Sequence, residues 1–329
     1  MIMDDSVFIL GAGASAAYGY PTGFELAEEI KNFLRNFLYD PKFASKEKAD
    51  LNGFFNQLVT PLSRLEQFYD SLLKASTYSI DKFLENRPDY LDLGKLLIAY
   101  MLKKKENDYA LFIKLKHDNW FAELFNRIDA NVMNISKNRI SFITFNYDRS
   151  LEFFLYNLLK SRSTKGDNDI LQAFRSIPII HVYGSLGCFP WENSCGIPYS
   201  YEFTPDQIKK MAANIEIMSN ETETEELKAA HKLLNQAKKI YFIGCGYDFK
   251  NLNRLKIIEY AEGKTIRGTA KGIPLTLRNE ITTFFNVEIQ VNSGDGGKIS
   301  IMRPQVNISL ADSNDTIMDF LDKHVVFSA

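Results

Sequence analysis

A short stretch near the start of the chain constrains its fold more than any other. Residues 7–10 (Val-Phe-Ile-Leu) form an apolar run suited to a buried strand. Gly11, Gly13 and Ala16 follow at the spacing G-x-G-x-x-A, and from Ser15 onward the residues suit a helix. A strand that passes through a glycine turn into a helix N-terminus makes a phosphate site. The glycines let the backbone approach a pyrophosphate, and the free N–H groups and the helix dipole favour its charge. The same spacing also serves a tight turn with no ligand, so the rest of the chain has to decide.

A dinucleotide fold built on such a turn returns to a second strand, which ends in an acidic residue about 20 residues past the glycines. This chain does not return. After the turn-rich residues 18–23, Leu26, Ile30, Phe33, Leu34 and Phe37 recur at helical spacing. From about residue 50 to 128 nearly every segment reads as helix. Thr60-Pro61 suits an N-cap with a first-turn proline, and Ser79 and Asn119 suit the caps of two further helices. The strand pattern resumes at 139–145, with further strands expected at 177–182, 239–243, 265–268 and 287–291. Helical segments lie between them at 149–159, 205–218, 221–237, 252–261 and 274–285. This alternation predicts an α/β fold, a Rossmann-like and mostly parallel sheet with helices on both faces, plus a large all-helical insertion. The expected division is a sheet domain over 1–35 and 137–298, the insertion over 36–136, and a C-terminal extension over 299–329. A flexible loop at 292–298 precedes that extension, which holds a strand-like piece at 305–310 and a short helix at 316–323.

With 329 residues, 45% of them hydrophobic and 13% aromatic, the chain can bury a substantial core. A net charge of -2 with no lysine or arginine stripe leaves no footprint for nucleic acid. No apolar run reaches the roughly 18 residues of a spanning helix, so no membrane segment is expected. Asp4 and Asp5 lie where a secretory leader is basic, and the three cysteines Cys188, Cys195 and Cys245 cannot all pair. A reducing cytoplasm is the expected compartment.

Four polar clusters fall just past the C-terminal ends of expected strands, the edge at which open α/β sheets bind ligands. They are the turn Gly11, Ala12, Gly13, Ala14, Ser15; then Thr144-Phe-Asn-Tyr-Asp148; then His181-Val-Tyr-Gly-Ser185; and Gly244-Cys-Gly-Tyr-Asp248. His181 is a candidate for moving a proton near neutral pH, although a histidine at an apolar strand end also serves as a satisfied core residue. Asp148 suits either the cap of the helix that begins near residue 149 or a ligand contact. Asp248 has the same two uses, and Ser15 can cap a helix and donate to a phosphate at once. His117, His231 and His324 lie in polar helical contexts and are given no role.

In this order the clusters resemble the sirtuin family. Gly11-Ala-Gly-Ala-Ser15 followed by Gly19-Tyr-Pro21 is similar to its opening GAGxS…GxP signature. Thr144-Phe-Asn-Tyr-Asp148 is similar to its T-x-N-x-D segment, and His181 with Gly184-Ser185 to its catalytic histidine and nearby glycine. Gly244-Cys-Gly with Asp248 resembles the late turn that holds the adenosine end of NAD. The resemblance spans roughly residues 5–35 and 138–290. Two features depart from the family. Thr22-Gly23-Phe24 replaces its D-F-R, and the four-cysteine zinc module is missing; Cys188 and Cys195 alone do not close a tetrahedral site, so no zinc is expected.

A zinc-free chain with a helical insertion is similar to a divergent bacterial branch, the anti-phage defence proteins whose sirtuin-like domain destroys NAD. The resemblance implies NAD as substrate. It puts Gly11 to Ser15 at the diphosphate, Gly244, Cys245 and Asp248 at the adenosine end, and Pro21, Thr22, Gly184 and Ser185 among the further nucleotide-binding residues. Asn146 would align water against a ribosyl cation, Asp148 would hold the nicotinamide carboxamide, and His181 would take a proton. The expected activity is NAD glycohydrolysis to nicotinamide and ADP-ribose, restrained until triggered. The alternatives are an NAD-dependent protein deacylase or ADP-ribosyl transferase on the same fold, and a non-enzymatic NAD or ADP-ribose sensor. Implied partners are further copies of the chain and a separate activator such as a hexameric DNA-translocase-like ATPase.

Overall fold

The computed structural model describes residues 1–40, 45–58, 60–113, 118–217, 223–286, 289–292, 298–301, 306 and 308–327. Strand β1 (Ser6–Leu10) is buried at all five positions, as is β2 (Ile140–Thr144). They join β3 (Ile179–His181), β4 (Lys239–Ile243) and β5 (Thr265–Gly268) in one sheet. The remaining strands are β6 (Ile289–Asn292), β7 (Lys298–Ile301) and β8 (Ile308–Leu310). The main sheet has six strands in the order β3-β2-β1-β4-β5-β8, and every pairing in it is parallel. Near-continuous apolar runs such as Val7-Phe-Ile-Leu10 are what strands covered on both faces require. The fold is α/β and Rossmann-like, with additional helical regions.

Two differences from the sequence expectation concern the C-terminal part. The strand expected near 287–291 appears as β6, which pairs antiparallel with β7 alone and stands outside the main sheet. The sheet's edge is instead β8, from the stretch read as a C-terminal extension; it lies in register with β5, Ile266 opposite Ile308. The helix that follows, Ile317–His324, buries Phe320 and Leu321. The expected loop at 292–298 falls mostly on residues 293–297, outside the described residues, as does His117.

Between β1 and β2 run the helices Gly23–Tyr39, Ser45–Gln57, Leu62–Ala75, Ile80–Asn86, Leu91–Lys103, Asp108–Phe112 and Trp120–Arg127. Ser79 and Asn119 cap theirs as expected, accepting from the Lys82 and Ala122 amides at 3.2 and 3.1 Å. Thr60 does not. Extended Pro61 takes the cap position, and the Thr60 hydroxyl donates to the Leu58 carbonyl instead. The helix Asp167–Arg175 lies between expected segments and was not foreseen, and the segment at 252–261 divides into Phe249–Arg254 and Ile257–Tyr260.

Two contacts fix the insertion to the sheet edge. The indole of fully buried Trp120 donates to the Ala14 carbonyl at 2.8 Å, directly under the glycine turn. Tyr18 stacks on Phe121 at 4.3 Å, and its hydroxyl bonds Asn119 at 3.0 Å. Deeper still, Glu106 of the insertion accepts from Lys103 at 2.6 Å and from both Nε and Nη2 of Arg149 at 2.9 Å or less. All three side chains are buried, and Arg149 also donates to the Ile197 carbonyl at 3.0 Å. Such a cluster is sensitive to loss of any one member, because the remainder would be buried charge without a partner. It anchors the backbone directly after Asp148.

Candidate functional site

The parallel register brings the C-terminal ends of β1, β2 and β4 together: Leu10 lies opposite both Thr144 and Ile243. Strand order reverses between β1 and β4, which is where open α/β sheets leave a crevice. The turns after these two strands pack backbone against backbone. Gly11 N–H donates to Ile243 O at 3.0 Å, and Gly13 N–H to Gly244 O at 2.9 Å. A Cβ on Gly11 would meet Gly244 O at 2.6 Å, and one on Gly13 the same atom at 2.8 Å. Both glycines are therefore required by the contact between the two turns. The helix after the turn, Ala12–Ala16, is only five residues long, and the Ala14 amide closes on Gly11 O. The expected cradle of free amides is thus largely spent inside the protein.

Two open cavities flank this contact. The larger, of about 590 Å³, is lined by Gly13, Ala16, Thr22, Trp120, Gly244, Thr269, Lys271, Asp315 and Met318 among others. The smaller, of about 270 Å³, is lined by Gly11, Ser79, Asp81, Asn146, Tyr147, Tyr183, Asp248 and Asn251 among others. Ala12, Gly23, Cys245 and Gly246 line both. Gly23 opens the 17-residue helix capped by Thr22, whose hydroxyl and the Glu25 carboxylate form a reciprocal capping box. The first amides of such a helix have no intrahelical partner.

Asn146 stands at the smaller cavity. Its Nδ2 donates to Gly11 O at 3.0 Å and to Ser15 Oγ at 3.2 Å. The amide oxygen is the polar atom these bonds leave for a ligand. Beside Asn146 is a third, much smaller pocket of about 10 Å³, room for about one water. It holds Ser15, Asp148, Ser150, Glu152 and His181.

His181 was expected to face the ligand and take a proton. The structure half-buries it: it lines the small pocket and neither of the two larger cavities. Its Nδ1 bonds the Asn146 carbonyl at 2.8 Å, and its Nε2 contacts the Glu152 carboxylate. A carbonyl only accepts, so Nδ1 carries hydrogen. Burial pulls the imidazole pKa down, but the Glu152 charge and the bonds to Glu152 and Asn146 outweigh it, and the net shift is upward. Held at both nitrogens, by the Asn146 carbonyl and by Glu152, the ring fixes the backbone of Asn146.

Asp148 is buried and accepts from the Ser150 amide at 3.1 Å and from its hydroxyl. Burial raises its pKa against the opposing bonds from Ser150 and Ser15. Of its two expected uses, the structure displays the cap-like one at the start of the helix Ser150–Ser161. Asp248 does line the smaller cavity and also caps the helix Phe249–Arg254 through the Lys250 amide at 2.8 Å. Cys245 lies at the shared rim with its buried thiol on the Ile9 carbonyl, and burial pushes its pKa up to about 12. Gly244 donates its N–H to Thr269 Oγ1 at 2.8 Å.

Ala14, Pro21, Gly184 and Ser185 line neither open cavity. Gly184 has φ +72°, and a Cβ there would lie 1.8 Å from Asn214 O, so its role is close packing. Ser185 accepts from the Gly187 amide in a local turn.

Several cavity residues were missed. Tyr147 and Tyr183 sit inside motifs already singled out, where only their neighbours were considered. Tyr247 holds a left-handed φ of 56°, which costs a non-glycine residue about 1–2 kcal/mol. Its hydroxyl reaches over Gly268 to donate to Thr269 O at 2.9 Å. Asp81 comes from the insertion, and nothing in the local sequence sets it apart from any first-turn acid. Among the described residues, no three His, Cys, Asp or Glu side chains gather so as to hold a metal. No helix there is long and apolar enough to cross a membrane. No family model matches the chain, and no curated protein matches it.

Proposed function

We propose that the chain binds NAD across the two open cavities and hydrolyses its nicotinamide–ribose bond, as a sirtuin-like NAD glycohydrolase. One observation carries this: the cavities meet at Ala12, Gly23, Cys245 and Gly246, where the backbone is covered by little or no side chain. A dinucleotide is two nucleosides joined by a diphosphate, and this rim suits the diphosphate. Gly23 offers it the positive end of a long helix. The larger cavity has the room, the apolar Trp120 and Met318 and the polar Thr269 and Asp315 that an adenosine needs. The nicotinamide riboside would then lie beside Asn146.

Cleavage builds positive charge on the ribose as nicotinamide leaves. A fixed dipole with its negative end toward that charge lowers the barrier without reorganising. The Asn146 amide, held through Nδ2 by Gly11 and Ser15, suits this task, and its oxygen can also accept a hydrogen bond from the attacking water. His181 and Glu152 act as positioning residues through the Asn146 carbonyl. The choice of NAD, a role in anti-phage defence, self-association and an activating partner all rest on the motif resemblance.

The test is incubation of the full chain with NAD and chromatography of the products. Nicotinamide and ADP-ribose are expected in equal amounts, with Asn146→Ala slower by roughly 100-fold or more, the scale for losing one positioned dipole. Full activity in Asn146→Ala would remove the assigned chemistry. The ties of His181 to Asn146 and Glu152 favour one second reading, a nucleotide sensor; tight ADP-ribose binding with no nicotinamide released over hours, even by the chain assembled with its activator, would support it.

A further inference from the structure

The smaller cavity carries a charge pattern that the motifs do not explain. Among the described residues, its lining contains two carboxyl groups, Asp81 and Asp248, and no lysine or arginine. Asp248 is spent on capping a helix. Asp81 is not a cap: it sits in the first turn of the helix Ile80–Asn86, which Ser79 caps, and this helix delivers it from the insertion into the cavity. Tyr147 fixes it, donating its hydroxyl to Asp81 Oδ1 at 2.6 Å while lying 3.1 Å from the Glu216 carbonyl. Tyr183 also lines the cavity, its hydroxyl tied to Asn251 at 2.6 Å. The neighbouring cations are accounted for: Lys250 pairs with Glu85 at 2.6 Å, and Arg254 lies 5.8 Å from the centre of the Tyr183 ring without lining the cavity.

An acidic group beside tyrosine side chains, with no cation among the described lining residues, suits a flat organic cation. We propose that Asp81 selects the positively charged pyridinium of an oxidised nicotinamide nucleotide over its neutral reduced form. This rests on the reading of the cavities as an NAD site. The helical insertion is then part of the binding site, and it supplies an acidic group that helps distinguish the two oxidation states of the ligand.

The experiment is calorimetric titration of the full chain with three probes. They are carbocyclic NAD, which keeps the pyridinium but cannot be hydrolysed, the same analogue with its ring reduced, and ADP-ribose. The wild type should bind the oxidised analogue at least about tenfold more tightly than the reduced one. Asp81→Asn, nearly isosteric, should bring the two within about twofold and leave ADP-ribose binding within about twofold of wild type. Retained ADP-ribose binding also reports an intact fold. A wild type without preference, or Asp81→Asn that keeps the preference, overturns the proposal while ADP-ribose binding still upholds the nucleotide site. Failure of all three probes to bind the wild type removes the site and the proposal together. If Asp81→Asn loses ADP-ribose binding as well, Tyr147→Phe decides: a preference cut about threefold or more supports the proposal, and an unchanged preference overturns it.

Discussion

Gly244→Ala isolates the contact on which the whole site rests. Gly244 has φ +61°, and a Cβ there would lie 2.0 Å from Ala14 N and 2.3 Å from Gly13 C. Both are backbone atoms, so no side-chain rotation relieves the overlap. Left-handed backbone costs a residue with a Cβ about 1–2 kcal/mol, and forcing a methyl into packed surroundings about 1–3, together about 2–5 kcal/mol. Against a total stability of about 5–15 kcal/mol this is a large fraction. Urea unfolding followed by tryptophan fluorescence suits the measurement, because buried Trp120 bonds the Ala14 carbonyl within the same contact. The midpoint should fall with the slope unchanged. Gly246→Ala is the internal control: it lies two residues on in the same motif, has no atom within 4 Å of an added Cβ, and should shift stability by about 0.5 kcal/mol or less. Equal stability of the Gly244 variant and wild type, or equal losses in the two variants, would refute the packing argument.

Two further outcomes follow from the buried groups. The folded pKa of His181 is raised above its usual 6.5, so its contact with Glu152 contributes fully below that pH and is lost as pH rises through the raised value. Urea midpoints measured across that range should show this loss in wild type and not in Glu152→Gln. Cys188 and Cys195 are exposed, whereas burial holds the Cys245 thiol near 12. Ellman's reagent at neutral pH should therefore titrate two thiols in the native protein and the third only after denaturation; fast reaction of all three would contradict the packing of the shared rim.

The sheet was legible in the sequence because fully buried parallel strands read as apolar runs. β4 and β5 fall where expected, and β2 lies within one residue of its expected ends at either side. β8 falls inside the strand-like piece expected at 305–310, but its place at the edge of the main sheet was hidden for a physical reason. It is a three-residue edge strand of half-buried residues, and so short a piece carries no sign of which strand it pairs with. Caps by Ser79 and Asn119 were readable from one residue each, whereas the Thr60-Pro61 pair failed because proline itself took the extended cap position.

For the site, the motifs located the right sheet edge but not which side chains face the opening. That depends on how each turn leaves its strand. Asn146 reaches the cavity, His181 lines the small pocket beside it, and Tyr183, two residues on, lines the cavity. The glycines of the opening turn looked like phosphate contacts, yet Gly11 and Gly13 are demanded by the distant Gly244 turn. Asp81 and Glu152 were invisible because their importance comes from tertiary neighbours, Tyr147 and His181.

The central claim is that one dinucleotide straddles the rim formed by Ala12, Gly23, Cys245 and Gly246. A crystal structure of the full chain with carbocyclic NAD tests it most directly. The expected density has the diphosphate between Ala12 and Gly23, adenosine in the larger cavity, and the pyridinium in the smaller one beside Asn146 and Asp81. A nucleotide bound away from this rim, or lying with its adenosine against Asn146, would contradict it.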